Sequence, residues 1–382
     1  MRKILIAVIF ILPVTILAQS NYCGTEMSAE QLNWLRNFQQ NYSPSDTRGT
    51  DIYYVPLKIH VVGNDDAYGY LSAANIIRNM CDLNMQFEPT GFQFYIYEDV
   101  DYINNSEYYT HDWYNGYEMM IYNNDNAAAN LYYVNDPAGN CGYFSYAGNA
   151  VAIANSCAQP GNSTIAHELG HFFSLPHTFY GWEWGTPSAE DQEKVDGSNC
   201  TTAADGFCGT TPDYASYRWN CSSPPFFTDP NGDTFYADGS NFMSYAGDEC
   251  MIQFSNDQMD AMQANLTGPR NNLLDNEAPQ FFDLDTLLLI EPANGIENMY
   301  PNYTELVWAS VENAVRYEVA VALNSSFSAL AFSRIISDTS IVLNNLVQDK
   351  KYYWKIRPVG ALNYCEDYSE SRTFVTGSET LA

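Results

Sequence analysis

His167-Glu168-Leu169-Gly170-His171-Phe172-Phe173-Ser174-Leu175-Pro176-His177 holds three of the chain's five histidines. His167 and His171 stand four apart, so on a helix both imidazoles share one face and reach one metal ion. Glu168 adjoins the first histidine, where its carboxylate reaches a water at the metal without being a ligand. His177 lies six residues past His171 and binds only if the chain turns back beneath the metal. Three neutral imidazoles with one open position fit a catalytic zinc site; a closed structural site takes four protein ligands. The helix itself is predicted from Ile165, Leu169 and Phe172 at i, i+4, i+7, with Asn162, Ser163 and Thr164 available as N-caps.

This stretch resembles the extended motif of the metzincin zinc peptidases, H-E-x-x-H-x-x-G-x-x-H followed later by a Met-turn. Asn241-Phe242-Met243-Ser244-Tyr245 matches the Met-turn. Within metzincins the likeness is to the pappalysin (M43, cytophagalysin) family. It rests on Thr178-Phe179 after His177, on Asp248, Cys250, Phe254-Ser255 and Gln258 past the Met-turn, and on Cys23-Gly24-Thr25 near the start. The resemblance implies an α+β fold for residues 51–268: a twisted mixed sheet, a backing helix, an active-site helix and the Met-turn. It implies Zn²⁺ on His167, His171 and His177, Glu168 as general base, and Tyr245 beside the metal as an oxyanion partner. Met243 packs under the site as a thioether, not a ligand. The family's glycine between the second and third histidines is Ser174 here, which predicts a slightly strained turn, about 1 kcal/mol for a residue with a Cβ.

Outward from the motif, Met1 to about Ala18 reads as a secretory signal peptide: Arg2 and Lys3, then an apolar run too short to span a bilayer. The expected mature chain is exported and has no membrane anchor. Nine cysteines fit an oxidising compartment, and an odd number leaves one unpaired. The family's pattern implies Cys221–Cys250. Cys141–Cys157 and Cys200–Cys208 are expected because their loops are short. Cys23 is a candidate zinc ligand in a latent precursor; a disulfide to Cys81, a free Cys81, or Cys365 as the odd thiol are the alternatives. The net charge is −30, and losing Arg2 and Lys3 makes it −32. With no basic stripe, nucleic acid is excluded as a partner.

Residues 19–50 form a polar pro-segment with a helical patch at Leu32, Trp34, Leu35 and Phe38. Strands are expected at 54–62, 92–97, 130–134 and 150–154, and a long helix through Ala73, Ile76, Ile77, Met80, Leu83 and Phe87. Residues 178–240 lack periodicity. Aspartates 196, 205, 213, 229, 233 and 238 there suit Ca²⁺ ligands, which relatives bind in this region, or solvated turns; the sequence leaves both open. Ser255 and Gln258 form a capping box before the domain's last helix. Residues 269–287 read as a linker. From 288 to 377 the strand texture, with Trp308 and Tyr352-Tyr353-Trp354, resembles a fibronectin type III module. That module's ligand is matrix, glycan or substrate, or it is a spacer. The functional expectation is a secreted zinc endopeptidase acting on proteins or peptides; the alternative is a non-catalytic secreted adhesin using the same fold as scaffold.

Overall fold

The computed structural model describes residues 21–41 and 51–381. The signal-peptide expectation (1–18) lies outside the described residues. Strand β2 (Tyr53–Gly63) is the axis of the N-terminal domain, with residues 55–63 all buried. It pairs in parallel with β3 (Phe92–Ile96) and β4 (Asp101–Asn104) on one side and β5 (Ala129–Val134) on the other. Val55, Leu57, Ile59 and Val61 alternate with Pro56, Lys58 and His60, and the two polar side chains are buried against partners: Lys58 donates to Asp99 O, and His60 lies beside Asn130 Oδ1. Beyond β5 come β7 (Ala150–Ala154), parallel, and then β6 (Asn140–Ser145), antiparallel to β7. At the rim, β1 (Asn21–Cys23) of the N-terminal segment adds a parallel strand to β6. The order β1-β6-β7-β5-β2-β3, with β4 also on β2, makes a seven-stranded mixed sheet.

Helix α2 (Ala73–Phe87) lays Ile76, Ile77, Met80, Leu83 and Phe87 against this sheet. Ser72 caps it by accepting from Asn75 N, 3.2 Å away. Two buried polar side chains on α2 tie down the loop that leads to the motif. Asn79 donates to Ala158 O at 3.1 Å, and Asp82 accepts from Gly161 N at 2.9 Å. The N-terminal helix α1 (Ala29–Asn41) buries Leu35 and lies across the same domain. Helix α5 (Asn256–Thr267) closes the domain and begins with the expected capping box.

The second domain is a β-sandwich. One sheet runs β8 (Leu289–Glu291), β10 (Thr304–Trp308), β13 (Ser340–Leu343). The other runs β9 (Ile296–Met299), β15 (Arg372–Thr376), β14 (Lys351–Gly360), β11 (Ala314–Ala322), β12 (Leu330–Ile336). Trp308 and Trp354 are buried between the sheets. The two domains are not strung loosely. Cys81 on α2 is bonded to Cys365, Ser333 Oγ accepts from Ala73 N at the start of α2, and Arg316 donates to Ile96 O. Tyr364 and Tyr102 each accept a backbone N–H across the boundary, from Ile96 and Ile335. Cys365 is therefore not the odd thiol, and Cys81 is neither free nor joined to Cys23. The residues read as a linker also pack: Leu273 and Leu287 are buried, and Asn272 and Asn276 donate to Asn126 O and Ala127 O.

Candidate active site

Helix α4 (Thr164–Phe172) carries the motif, and all nine of its residues are buried. Ser163 is its N-cap residue, but not through the hydrogen bond expected of it. Its hydroxyl and its N–H both donate to Asp248 Oδ1, at 2.7 and 3.0 Å, and Arg218 holds the other oxygen at 2.6 Å. The carboxylate thus sits at the positive end of the helix. The other end closes with Ser174 at φ 72°. Ser174 N donates to His171 O (2.9 Å) and Leu175 N to Gly170 O (3.0 Å), the paired bonds of a Schellman turn. Ser174 occupies a position that favours glycine, as expected, and its hydroxyl accepts from Asn265 Nδ2 at 2.9 Å. This turn is what brings His177 back to the helix.

The three imidazoles meet. His171 Nε2 lies 3.2 Å from His167 Nε2 and 3.1 Å from His177 Nε2. Each Nδ1 faces an acceptor: Phe242 O at 2.6 Å for His167, Leu175 O at 2.7 Å for His171, and Glu183 Oε1 at 2.9 Å for His177. Carbonyls and carboxylates only accept, so each Nδ1 carries the proton and each Nε2 presents a lone pair. Three lone pairs facing one another at that range cannot hydrogen-bond; a cation among them resolves the contact. Burial holds His167 and His171 well below the usual histidine range, which keeps them in the neutral, ligating form. The donor set therefore fits zinc.

A fourth ligand atom belongs to the group. Cys23 Sγ lies 3.6 Å from His171 Nε2 and 3.5 Å from Glu168 Oε2, and all four ligand atoms fall within 4.8 Å of one another. Cys23 is the chain's free cysteine. Thr25 Oγ1 donates to Glu168 Oε2 at 2.8 Å and accepts from Phe144 N, so the Cys-Gly-Thr segment covers the glutamate. Burial pushes the Glu168 carboxyl up to about 8, while the Thr25 and Cys23 hydrogen bonds pull the other way. Met243 packs under α4: a Cβ on Gly170 would stand 2.4 Å from the Met243 sulfur, so the thioether would have to move to admit one. Tyr245 lies with its ring centroid 4.9 Å from that of His177 and donates its hydroxyl to Cys23 O at 3.3 Å.

Among the disulfides, Cys221–Cys250, Cys141–Cys157 and Cys200–Cys208 all form. Sequence reasoning missed Glu183 and the Arg218–Asp248 pair. Glu183 had no signal beyond lying six residues past His177, and Arg218 none at all.

The family model described as Pregnancy-associated plasma protein-A, peptidase M43, matches residues 96–267. An extracellular metalloprotease of Colletotrichum graminicola is 27% identical over 236 residues, covering 54% of this chain and 74% of its own. One of Pyricularia oryzae is 26% identical over 216 residues, 52% of this chain and 69% of its own. Among solved structures, mirolysin in complex with a compound is similar at 19% identity and a TM-score of 0.45, covering 59% of this chain and 97% of that one. The fn3 domain of human contactin 1 is similar at 15% identity and a TM-score of 0.22, covering 28% and 90%. Since the matched family span runs from the end of β3 through α5 and contains all three clustered histidines, this chain carries a metallopeptidase domain of the M43, or pappalysin, family.

Proposed function

We propose that the chain is a secreted zinc-dependent endopeptidase whose own N-terminal segment keeps it latent. The observation that carries this is the meeting of three Nε2 lone pairs with Glu168 beside them and Cys23 Sγ over them. The fungal relatives named extracellular metalloproteases support both the activity and the compartment. Among the described residues, no helix is long and apolar enough to cross a membrane.

His167, His171 and His177 would hold the zinc, each fixed in one tautomer by its Nδ1 partner. Zinc bound there lowers the pKa of its water toward neutrality and polarises a peptide carbonyl. Glu168 accepts a proton from the attacking water and delivers it to the leaving amine. Tyr245 donates to a backbone carbonyl in the cleft, that of Cys23, and the same hydroxyl serves a substrate's developing oxyanion. Cys23 competes for the open ligand position, and Thr25 occupies the carboxylate that must take the proton. Residues 19–50 then act as a pro-segment, released by a cut between about 40 and 52. The non-catalytic adhesin reading leaves the paired His and Glu168 geometry without a use.

For calcium, the acidic loop offers two buried carboxylates but, among the described residues, no group of three gathered ligand atoms around them. Glu193 and Asp205 are buried, and each leaves one side-chain oxygen without a hydrogen-bond partner. Asp196 and Asp238 instead accept N–H groups of their own turns, Asp229 those of its turn and of Val195, and Asp213 is held by Thr178, Ser244 and Ala215. For the C-terminal module, the disulfide and the contacts to α2 and β3 support bracing of the peptidase domain.

The test is cleavage of a denatured protein mixture, read by mass spectrometry, after the N-terminal segment is removed. A chelator should stop cleavage and zinc restore it. Glu168→Ala should keep the metal and lose about 10²–10⁴-fold in rate. No cleavage by the processed wild type, or near-normal turnover by Glu168→Ala, refutes the reading.

A further inference from the structure

The three histidines differ in what stands behind them. His167 and His171 donate Nδ1–H to backbone carbonyls, of Phe242 and Leu175. His177 donates to a side-chain carboxylate, Glu183 Oε1, at 2.9 Å. The carboxylate is itself fixed, because Glu183 Oε2 accepts from Gly181 N at 2.6 Å. Gly181 has φ 99°, a left-handed conformation that aims its N–H back at the residue two ahead. The loop is pinned on either side. Phe179 stacks on the His177 ring, centroids 4.6 Å apart, and Trp182 stacks on Tyr214 at 4.3 Å. Tyr180 N and Trp182 N donate to His177 O and Phe179 O, so the chain from His177 to Glu183 is two consecutive tight turns. Glu183 retains about a fifth of its side-chain exposure, at the cleft.

We infer that Glu183 is a positioning residue that sets the metal affinity of the site through the imidazole of His177. The inference rests on the zinc reading above. His177 is the ligand that needs such help. His167 and His171 ride on one buried helix, whereas His177 hangs on a loop beyond the strained Ser174 turn. A hydrogen bond to an ionised acceptor is roughly twice as strong as one to a neutral carbonyl. It fixes the tautomer, orients the ring and raises the basicity of the ligating nitrogen.

The experiment measures the zinc Kd of the full chain by competition with a fluorescent chelator, alongside the melting temperature of the zinc-stripped protein. Glu183→Ala should bind zinc about 10–100-fold more weakly. Glu183→Gln keeps a carbonyl acceptor without the charge, and should lie between it and wild type. In both variants the zinc-stripped melting temperature should hold while the rise on adding zinc shrinks. A Kd for Glu183→Ala within threefold of wild type overturns the inference. If Glu183→Ala does not fold, Glu183→Gln decides: a Kd unchanged within threefold overturns it. A wild-type chain that takes up no zinc overturns the zinc reading as well, which separates the two failures.

Discussion

Two buried histidine environments sit a few strands apart and say opposite things. In the cleft, His167, His171 and His177 each have one nitrogen on an acceptor and the other on nothing but its neighbours. On β2, His60 is fully buried and stacks on Tyr132 at 4.2 Å, with oxygens at both nitrogens. Asp101 Oδ2 lies 3.2 Å from its Nδ1, and Asn130 Oδ1 lies 3.1 Å from its Nε2. The Asn130 amide cannot flip, because its Nδ2 donates to Asp125 O and Ala128 O. Among the described residues, no second imidazole or thiol gathers with His60. Burial and residue type are shared, so neither identifies a metal site; the gathering of ligand atoms at one point does.

Breaking that contrast gives the largest expected effect. In the processed chain, from which Cys23 is gone, His171→Ala should take zinc from one per chain to essentially none and abolish cleavage, because two imidazoles alone make a poor site. His60→Ala should leave zinc at one per chain and cost about 0.5–3 kcal/mol of stability, from the cavity left where the buried ring stacks on Tyr132. Metal content by elemental analysis, with denaturant unfolding beside it, checks both. Zinc loss in the His60 variant would place His60 in the metal site as well.

A smaller effect tests who else shares the cluster. Cys23→Ala should make the unprocessed chain active about tenfold or more above wild type, since even about 1.4 kcal/mol of ligation is tenfold in occupancy. Equal activity of the two precursors would remove Cys23 from the metal's company and leave only histidines there.

The smallest concerns the turn that delivers His177. Backbone reasoning alone says Ser174→Gly should stabilise by about 1 kcal/mol. Losing the Ser174 hydroxyl, however, strips the Asn265 amide of its partner at a buried site, which costs about 1–3 kcal/mol. The expected result is a net change between zero and about 2 kcal/mol of destabilisation. A clear gain in stability would show that strain, not the Asn265 bond, dominates the turn.

The motif was legible because its logic is local: ligand spacing on a helix, a turn after it, an acid between. The capping box at Ser255 and the apolar face of α2 were legible for the same reason. Two elements were not. Helix α3 (Trp113–Asn123) shows solvent Trp113, Tyr114, Tyr117, Ile121 and Tyr122, so its outer face is as apolar as its inner one and the helical period disappears. Strand β6 reads Asn-Cys-Gly-Tyr-Phe-Ser, with asparagine and glycine where strands usually avoid them. At Gly142 a Cβ would crowd Ile153 Cδ1 at 2.9 Å and a Glu168 oxygen at 3.1 Å, so glycine leaves the glutamate its room. The Cys81–Cys365 pair was illegible because short loops close most easily, and this one spans 284 residues. Packing of the second domain onto α2, which no local pattern encodes, brings those two sulfurs together.

That bond gives the molecule a ring and a tail. Every residue from 81 to 365 lies on a closed covalent circuit, the three histidines and Glu168 included. A single nick anywhere on the circuit, even in the 269–287 segment between domains, opens the ring without freeing either piece. Cys23 has no disulfide and lies on the tail, outside the circuit. On the proposed pro-segment reading, a cut between about 40 and 52 would leave residues 21–41 held on the domain by non-covalent contacts alone. Chain cleavage thus has two different covalent outcomes: within 81–365 the pieces stay bonded through Cys81–Cys365, and before residue 81 they do not.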